Sequence, residues 1–278
     1  MWNEQLRVLL PPLDDMFNIT AAYWTTVSFS VLAGIIFVIG VKFWRDTKNP
    51  IVLLMMLGGL TTVVVEPYLD FIGGAFHPIH GQNTAFELMG RPIPWWVVPC
   101  YIFLFGGLGT LNYMAFTKGV TMRVVALWYF VPMSVDIIME EMMMHFDLYS
   151  YYGQQPLIIF SKFPIWWSAT NSMGVYLGVV LVTLMAPYLR GWKLLLIPIV
   201  MPVADGLGYA AVGLPTIIAV QTPNISMFIS NLAGIADFAL AALVVYGVAL
   251  VLGTDSPLRK GSTSSTGVDA LLHKPASA

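Results

Sequence analysis

The chain predicts an all-α membrane protein: a bundle of seven transmembrane helices, with its amino terminus on the non-cytosolic side and its carboxyl terminus in the cytosol. Three observations lead there. Of its 278 residues 58% are hydrophobic and only 10% charged, with a mean hydropathy of +0.76, which is outside the usual composition of soluble domains. Apolar runs long enough to cross a bilayer, roughly 17 to 25 residues each, recur seven times. The basic residues gather on one side of those runs.

Residues 1–19 read as a short non-cytosolic segment. It carries Glu4, Arg7, Asp14 and Asp15 and lacks the apolar core and cleavage site of a signal peptide, so the first run serves as the insertion signal. That run is Thr20–Phe43. The second, Ile51–Ile72, holds Glu66 and Asp70 near its far end, and the third, Trp95–Phe116, opens on two tryptophans. The fourth, Val124–Met144, carries Asp136, Glu140 and Glu141; the fifth, Ile165–Ala186, opens on Trp166 and Trp167. The sixth, Leu194–Val220, sets Asp205 among Pro198, Pro202, Gly206, Gly208, Gly213 and Pro215. That set predicts a broken or bent span around the acid, which at membrane depth is tolerated only beside protein or a cavity. Met227–Leu252, with Asp237, completes a transmembrane domain over 20–252. Residues 253–278, rich in Ser, Thr, Gly and Pro, read as a disordered cytosolic tail.

Orientation follows from the 13 Lys and Arg. All but Arg7, Arg91 and Lys162 precede or fill the first, third and fifth loops or lie in the tail, which the positive-inside rule places in the cytosol. A net charge of −2 gives no reason to expect a nucleic-acid partner. A single cysteine, Cys100, excludes a disulfide framework, a thiolate zinc site and an iron–sulfur cluster.

The acids are out of place in such a chain. A charged group at membrane depth costs several kcal/mol on insertion scales, so it is usually retained for chemistry, ion passage or pairing. At a rise of about 1.5 Å per residue, Asp205 and Asp237 lie roughly 15 to 16 Å from the ends of their runs, at the midplane. Asp136, Glu140 and Glu66 lie nearer the non-cytosolic mouth. Glu66 and Asp70 are four apart, as are Asp136 and Glu140, so each pair projects from one helix face. Two carboxylates in a low-dielectric site cannot both ionise cheaply, so one serves as acid and its neighbour as base. For Glu141, Asp147 and Glu87 the plainer reading is that they end their elements at the interface. No Lys or Arg at the depth of the acids compensates the others; Asn171 and Asn231 are the neutral polar groups at their depth, and Asn112 reads as an interhelical clamp.

Aromatic residues crowd the same mouth: Trp95, Trp96, Tyr101, Tyr149, Tyr151, Tyr152, Trp166 and Trp167. An interfacial belt accounts for part of them. The rest suit a pocket wall, where an aromatic face stabilises a cation by about 0.5 to 2 kcal/mol. Metal binding is not expected: His77, His80 and His145 are few, no HExxH is present, and the last two runs hold no histidine. A retinal Schiff base is excluded, since the seventh run has no lysine. Asn18-Ile-Thr20 and Asn224-Ile-Ser226 are weak sequons that abut helices.

The stretch Glu66-Pro67-Tyr68-Leu69-Asp70, then His77-Pro78, Gly81-Gln82 and Gly90-Arg91-Pro92-Ile93-Pro94-Trp95-Trp96, resembles the spirocyclase family of avermectin biosynthesis. Tyr151-Tyr152-Gly153, Pro164-Ile165-Trp166-Trp167 and Asn171 extend the resemblance, and the chain is similar more broadly to the integral-membrane cyclases of meroterpenoid pathways. The resemblance implies essential acids on separate helices, with Glu66 and Asp237 as counterparts by position. It and the acid pattern lead to one expectation: cofactor-independent, acid-triggered ring closure of a lipophilic terpenoid, meroterpenoid or polyketide intermediate, an epoxide above all. Catalytic residues are then expected among Glu66, Asp70, Asp136, Glu140 and Asp237, with substrate held by Tyr101, Trp166, Trp167, Asn171, Asp205 and Asn231. The partners expected are the lipophilic substrate, the bilayer and neighbouring pathway enzymes, in the endoplasmic reticulum if the source is eukaryotic. A proton-coupled carrier and a lipid-binding scaffold are the competing readings.

Overall fold

The protein, described here by a computed structural model over residues 10–260, is a helical bundle in which seven stretches are long and apolar enough to cross a bilayer. Capping side chains set several helix starts. Asn18 accepts the Ala21 amide (3.0 Å) and opens α1 (Ile19–Thr47), so the first sequon asparagine serves as a helix cap. Asn49 accepts the Ile51 amide ahead of α2 (Ile51–Thr62), which passes through one 3-10 turn into α3 (Glu66–Gly73). Thr121 caps α6 and Ser226 caps α10, whose ranges are given below.

The third span joins α4 (Val97–Tyr101), a π-helical stretch Ile102–Leu108, and α5 (Gly109–Phe116). The π-helical register is an addition to the plain helix the sequence predicts, and it lies against α2 where Gly59 meets Gly106 backbone to backbone. The fourth span is α6 (Met122–His145) and the fifth is α7 (Trp166–Met185), which is buried along most of its length and forms the centre of the bundle. The sixth is α8 (Ile197–Val212). Gly174 and Gly178 on α7, spaced as in the GxxxG motif of membrane dimers, let α8 pack closely, with Asp205 against Gly174 and Met201 against Gly178.

The predicted irregularity in the sixth span is displaced. Helix α8 runs unbroken through Asp205 despite Pro202, and the break comes at Gly213, after which Pro215 opens the short α9 (Leu214–Gln221). Gly213 packs on Thr170, Trp166 and the Tyr209 carbonyl, leaving no room there for a side chain. The seventh span is α10 (Met227–Leu252). Exposed Val38, Ile138 and Leu243 on α1, α6 and α10 give these helices the apolar outer faces a lipid-facing span requires.

Two small sheets stand outside the helical expectation. Strands β2 (Thr84–Leu88) and β3 (Arg91–Pro94) form a hairpin whose turn places Met89 and Gly90 at positive φ. Strand β1 (Ala75–Phe76) pairs with β4 (Ser150–Tyr151), joining the loop after the second span to the loop after the fourth. The amino-terminal segment is tied to this end as well, since the Phe17 amide donates to the His80 carbonyl (2.9 Å).

Residues 253–260 are folded rather than disordered: Asp255 accepts the Met122 amide (2.7 Å), Ser256 is buried, and Pro257–Lys260 form α11. The remainder of the predicted tail, 261–278, and residues 1–9 lie outside the described residues.

Candidate functional site

Glu66 and Asp70 begin the site because α3 carries both on one face. The helix opens with Pro67 in its first turn and closes at Gly74, whose φ of +74° turns the chain back into β1. That reversal brings His77 over the two acids: its Nε2 lies 3.4 Å from Glu66 Oε1 and 3.6 Å from Asp70 Oδ2. All three residues are buried.

Tyrosines hold the other oxygen of each acid. Tyr101, at the end of α4, donates to Glu66 Oε2, and Tyr149 donates to Asp70 Oδ1 (2.5 Å). The β1–β4 pairing positions Tyr149 and Tyr151, and Tyr151 donates to Glu140 Oε2 (3.0 Å). Burial, reinforced by Asp70 and Glu66, pushes the Tyr149 phenol well above its ordinary range; burial with Glu140 does the same for Tyr151. Both phenols therefore stay protonated and act as donors.

Helix α6 supplies the second pair. Asp136 and Glu140 are buried, and Asn171 on α7 donates to both Asp136 oxygens, at 3.3 and 3.4 Å. Glu66 stands within charge–charge range of Asp70, Asp136, Glu140 and Asp205. Three spans thus deliver carboxyl groups to one region. Its wall is aromatic: Trp167 lies 5.0 Å from Tyr151 and 4.9 Å from Tyr209 between ring centroids, and the His77 ring lies 4.4 Å from that of Tyr149.

Several predicted site residues do other work. Asp237 Oδ1 accepts the Thr216 amide (3.4 Å), capping α9 just past the break in the sixth span, apart from the other acids. Asn231 accepts the Leu157 amide (3.0 Å) and anchors a loop whose Leu157 sits at a φ of +57°. Trp166 is fully buried and donates to Gln155 (3.0 Å), behind Trp167. Glu141 receives the amides of Ser161, Lys162 and Phe163, a loop-ordering role that agrees with its plainer reading. Asn112 reaches the Trp128 carbonyl (3.5 Å), clamping α5 to α6.

Asp205 is different again. It is fully buried, and neither of its oxygens has a hydrogen-bond partner among the described residues, a costly arrangement for an ionised carboxylate. Nearby, Tyr209 Oη and Trp167 Nε1 share that lack.

The sequence reading missed two residues. His77 was weighed only with His80 and His145, whereas its partners are acids; the signal was its short distance along the chain from the Glu66–Asp70 pair, across a Gly-Gly turn. Arg91 was placed as an outer loop cation, but it is buried, donates to Tyr152 Oη (2.5 Å) and lies within 5.8 Å of the rings of Phe71, Phe76 and Tyr152. Among the described residues it pairs with no carboxylate.

By donor chemistry, Glu66, Asp70 and His77 are the residues able to hold a metal ion, with one ligand atom from each lying within 4.8 Å of the others. Comparison with protein-family profiles, characterised proteins and solved structures finds no match to this chain.

Proposed function

We propose that the protein is a membrane-embedded cyclase that closes a ring in a lipophilic terpenoid, meroterpenoid or polyketide intermediate, with an epoxide as the preferred trigger. The observation that carries this reading is the gathering of Glu66, Asp70, Asp136, Glu140 and Asp205, from three separate spans, behind one aromatic wall. The resemblance of the Glu66–Asn171 stretch to membrane cyclases agrees with it.

Glu140 is assigned as the general acid. Its proton passes to the epoxide oxygen as the C–O bond breaks, a substrate π-bond attacks the resulting cation to form the ring, and Asp136 removes the final proton from carbon. The two carboxyls, four apart on α6, then exchange the proton to reset the site. The sum is an isomerisation that needs no redox partner. Asn171 orients Asp136, and Tyr151 orients Glu140. Trp167 and Tyr151 face the cation, and a dry site protects it from capture as an alcohol. Glu66 and Asp70 are not assigned the final proton, because each turns one oxygen to a tyrosine and the other to His77.

A groove of about 680 Å³ between α1 and α6, lined by Trp24, Phe29, Phe103, Met139 and Met143, supports a substrate that arrives from the bilayer. Met139 and Met143 flank Glu140 in sequence, and both are flexible side chains suited to yielding. The test is reconstitution in liposomes with a panel of prenylated epoxides, read by chromatography and mass spectrometry. A new product of unchanged mass is expected. Substrate recovered unaltered, but moved across the bilayer when a pH gradient is applied, would establish a carrier instead.

A further inference from the structure

We propose that Glu66, Asp70 and His77 bind one divalent first-row cation of the Zn²⁺ or Mn²⁺ type. The first argument is convergence. Glu66 Oε1 and Asp70 Oδ2 approach the same imidazole nitrogen, His77 Nε2, at 3.4 and 3.6 Å. A tetrahedral site with bonds of about 2.0 to 2.2 Å sets neighbouring ligand atoms about 3.3 to 3.6 Å apart. Two of the three separations already stand at that spacing, and all three lie within 4.8 Å.

The second argument is how the remaining oxygens are used. Tyr101 and Tyr149 each take the far oxygen of one carboxylate, the arrangement that outer-shell donors adopt to aim ligating carboxylates. Asp70, 1% exposed, leaves Oδ2 without a hydrogen-bond partner among the described residues, and this is the atom directed at His77. Buried acceptors of this kind ordinarily have a partner.

Charge is the third. As metal ligands, two carboxylates and a neutral imidazole together bring −2, which a divalent cation cancels. The nearest guanidinium, Arg91, is committed to Tyr152 and three aromatic rings. Two carboxylates with one imidazole suit Zn²⁺ or Mn²⁺ better than a soft ion. Three protein ligands leave a position open to substrate or water. On the cyclase reading, the one point at which the inference rests on it, a bound cation would supply Lewis-acid polarisation of a substrate oxygen.

The experiment needs no substrate, so its outcome is separate from that of the cyclase test. Full-length protein in detergent is stripped with a chelator, titrated with Zn²⁺ and separately with Mn²⁺, and the bound metal counted per chain by mass spectrometry; Co²⁺ absorption reports the ligand set. One equivalent is expected. Asp70→Asn and His77→Gln should abolish stoichiometric binding, and Tyr149→Phe should weaken it by about 10- to 100-fold, as loss of an outer-shell donor does. Asp237→Asn should bind as the parent does. The tyrosine variant keeps the test informative should the ligand variants fail to fold. Absence of stoichiometric binding to the parent chain, or binding that survives His77→Gln in folded protein, overturns the proposal.

Discussion

Glu140→Gln is expected to lower the rate of product formation by about 10²- to 10⁴-fold, the range that general acid catalysis contributes. Glutamine keeps the shape of glutamate and still accepts from Tyr151, so the loop packing that Tyr151 supports should survive. What disappears is the proton available to the substrate. Asp136→Asn should cause a comparable loss through the opposite step, because the cyclised cation then lacks its base while Asn171 keeps an acceptor. Both variants should melt within a few degrees of the parent in detergent, since replacing a buried carboxyl by an amide removes a desolvation cost. Rates from liposome assays and melting followed by size exclusion check the two halves together.

Gly59→Val is expected to prevent assembly of the bundle. A Cβ on Gly59 would stand 2.5 Å from the Gly106 nitrogen and 2.8 Å from the Tyr101 carbonyl oxygen. These are backbone atoms, so no rotamer change relieves the contact, and α2 must move away from the π-helical stretch. Overpacking in a well-filled interior typically costs about 1 to 3 kcal/mol, and a backbone clash belongs above that range. The same movement detaches Tyr101 from Glu66, so any folded fraction should also lose function. Gly247→Val is the control: nothing lies within 4 Å of its position, and that variant should elute and melt like the parent. Folded yield by fluorescence-detected size exclusion reads the difference.

The seven spans were legible because each is a local property of about twenty residues, and hydropathy reports it directly. The acid pairs on α3 and α6 were legible for the same reason, since a four-residue spacing fixes their common face. What joins them was not. The β1–β4 pairing sets Ala75 opposite Tyr151 across a hairpin and two whole spans, and neither two-residue strand carries a periodic signal. Tyr149 and His77 reach Asp70 only through that pairing. Asp237 illustrates the converse: its depth marked it as chemical, yet the break at Gly213 leaves the buried Thr216 amide at the start of α9 in need of an acceptor, and the carboxylate is used there. The prolines and glycines of the sixth span foretold a break, but the tight seam at Gly174 and Gly208 keeps α8 regular past Asp205 and moves the break to its end. Asn231 could not be told from a pocket residue by depth, because the loop it anchors lies far from it in sequence.

The account depends on the acid Glu140 and the base Asp136 working as one unit. Asp136→Asn, Glu140→Gln and the double variant, compared for turnover of the same epoxide in liposomes, test this directly. Residues that act together give strongly non-additive losses. The double variant should be no slower than the slower of the two single variants. Losses that multiply would show the two acids acting independently and contradict a shared catalytic chamber.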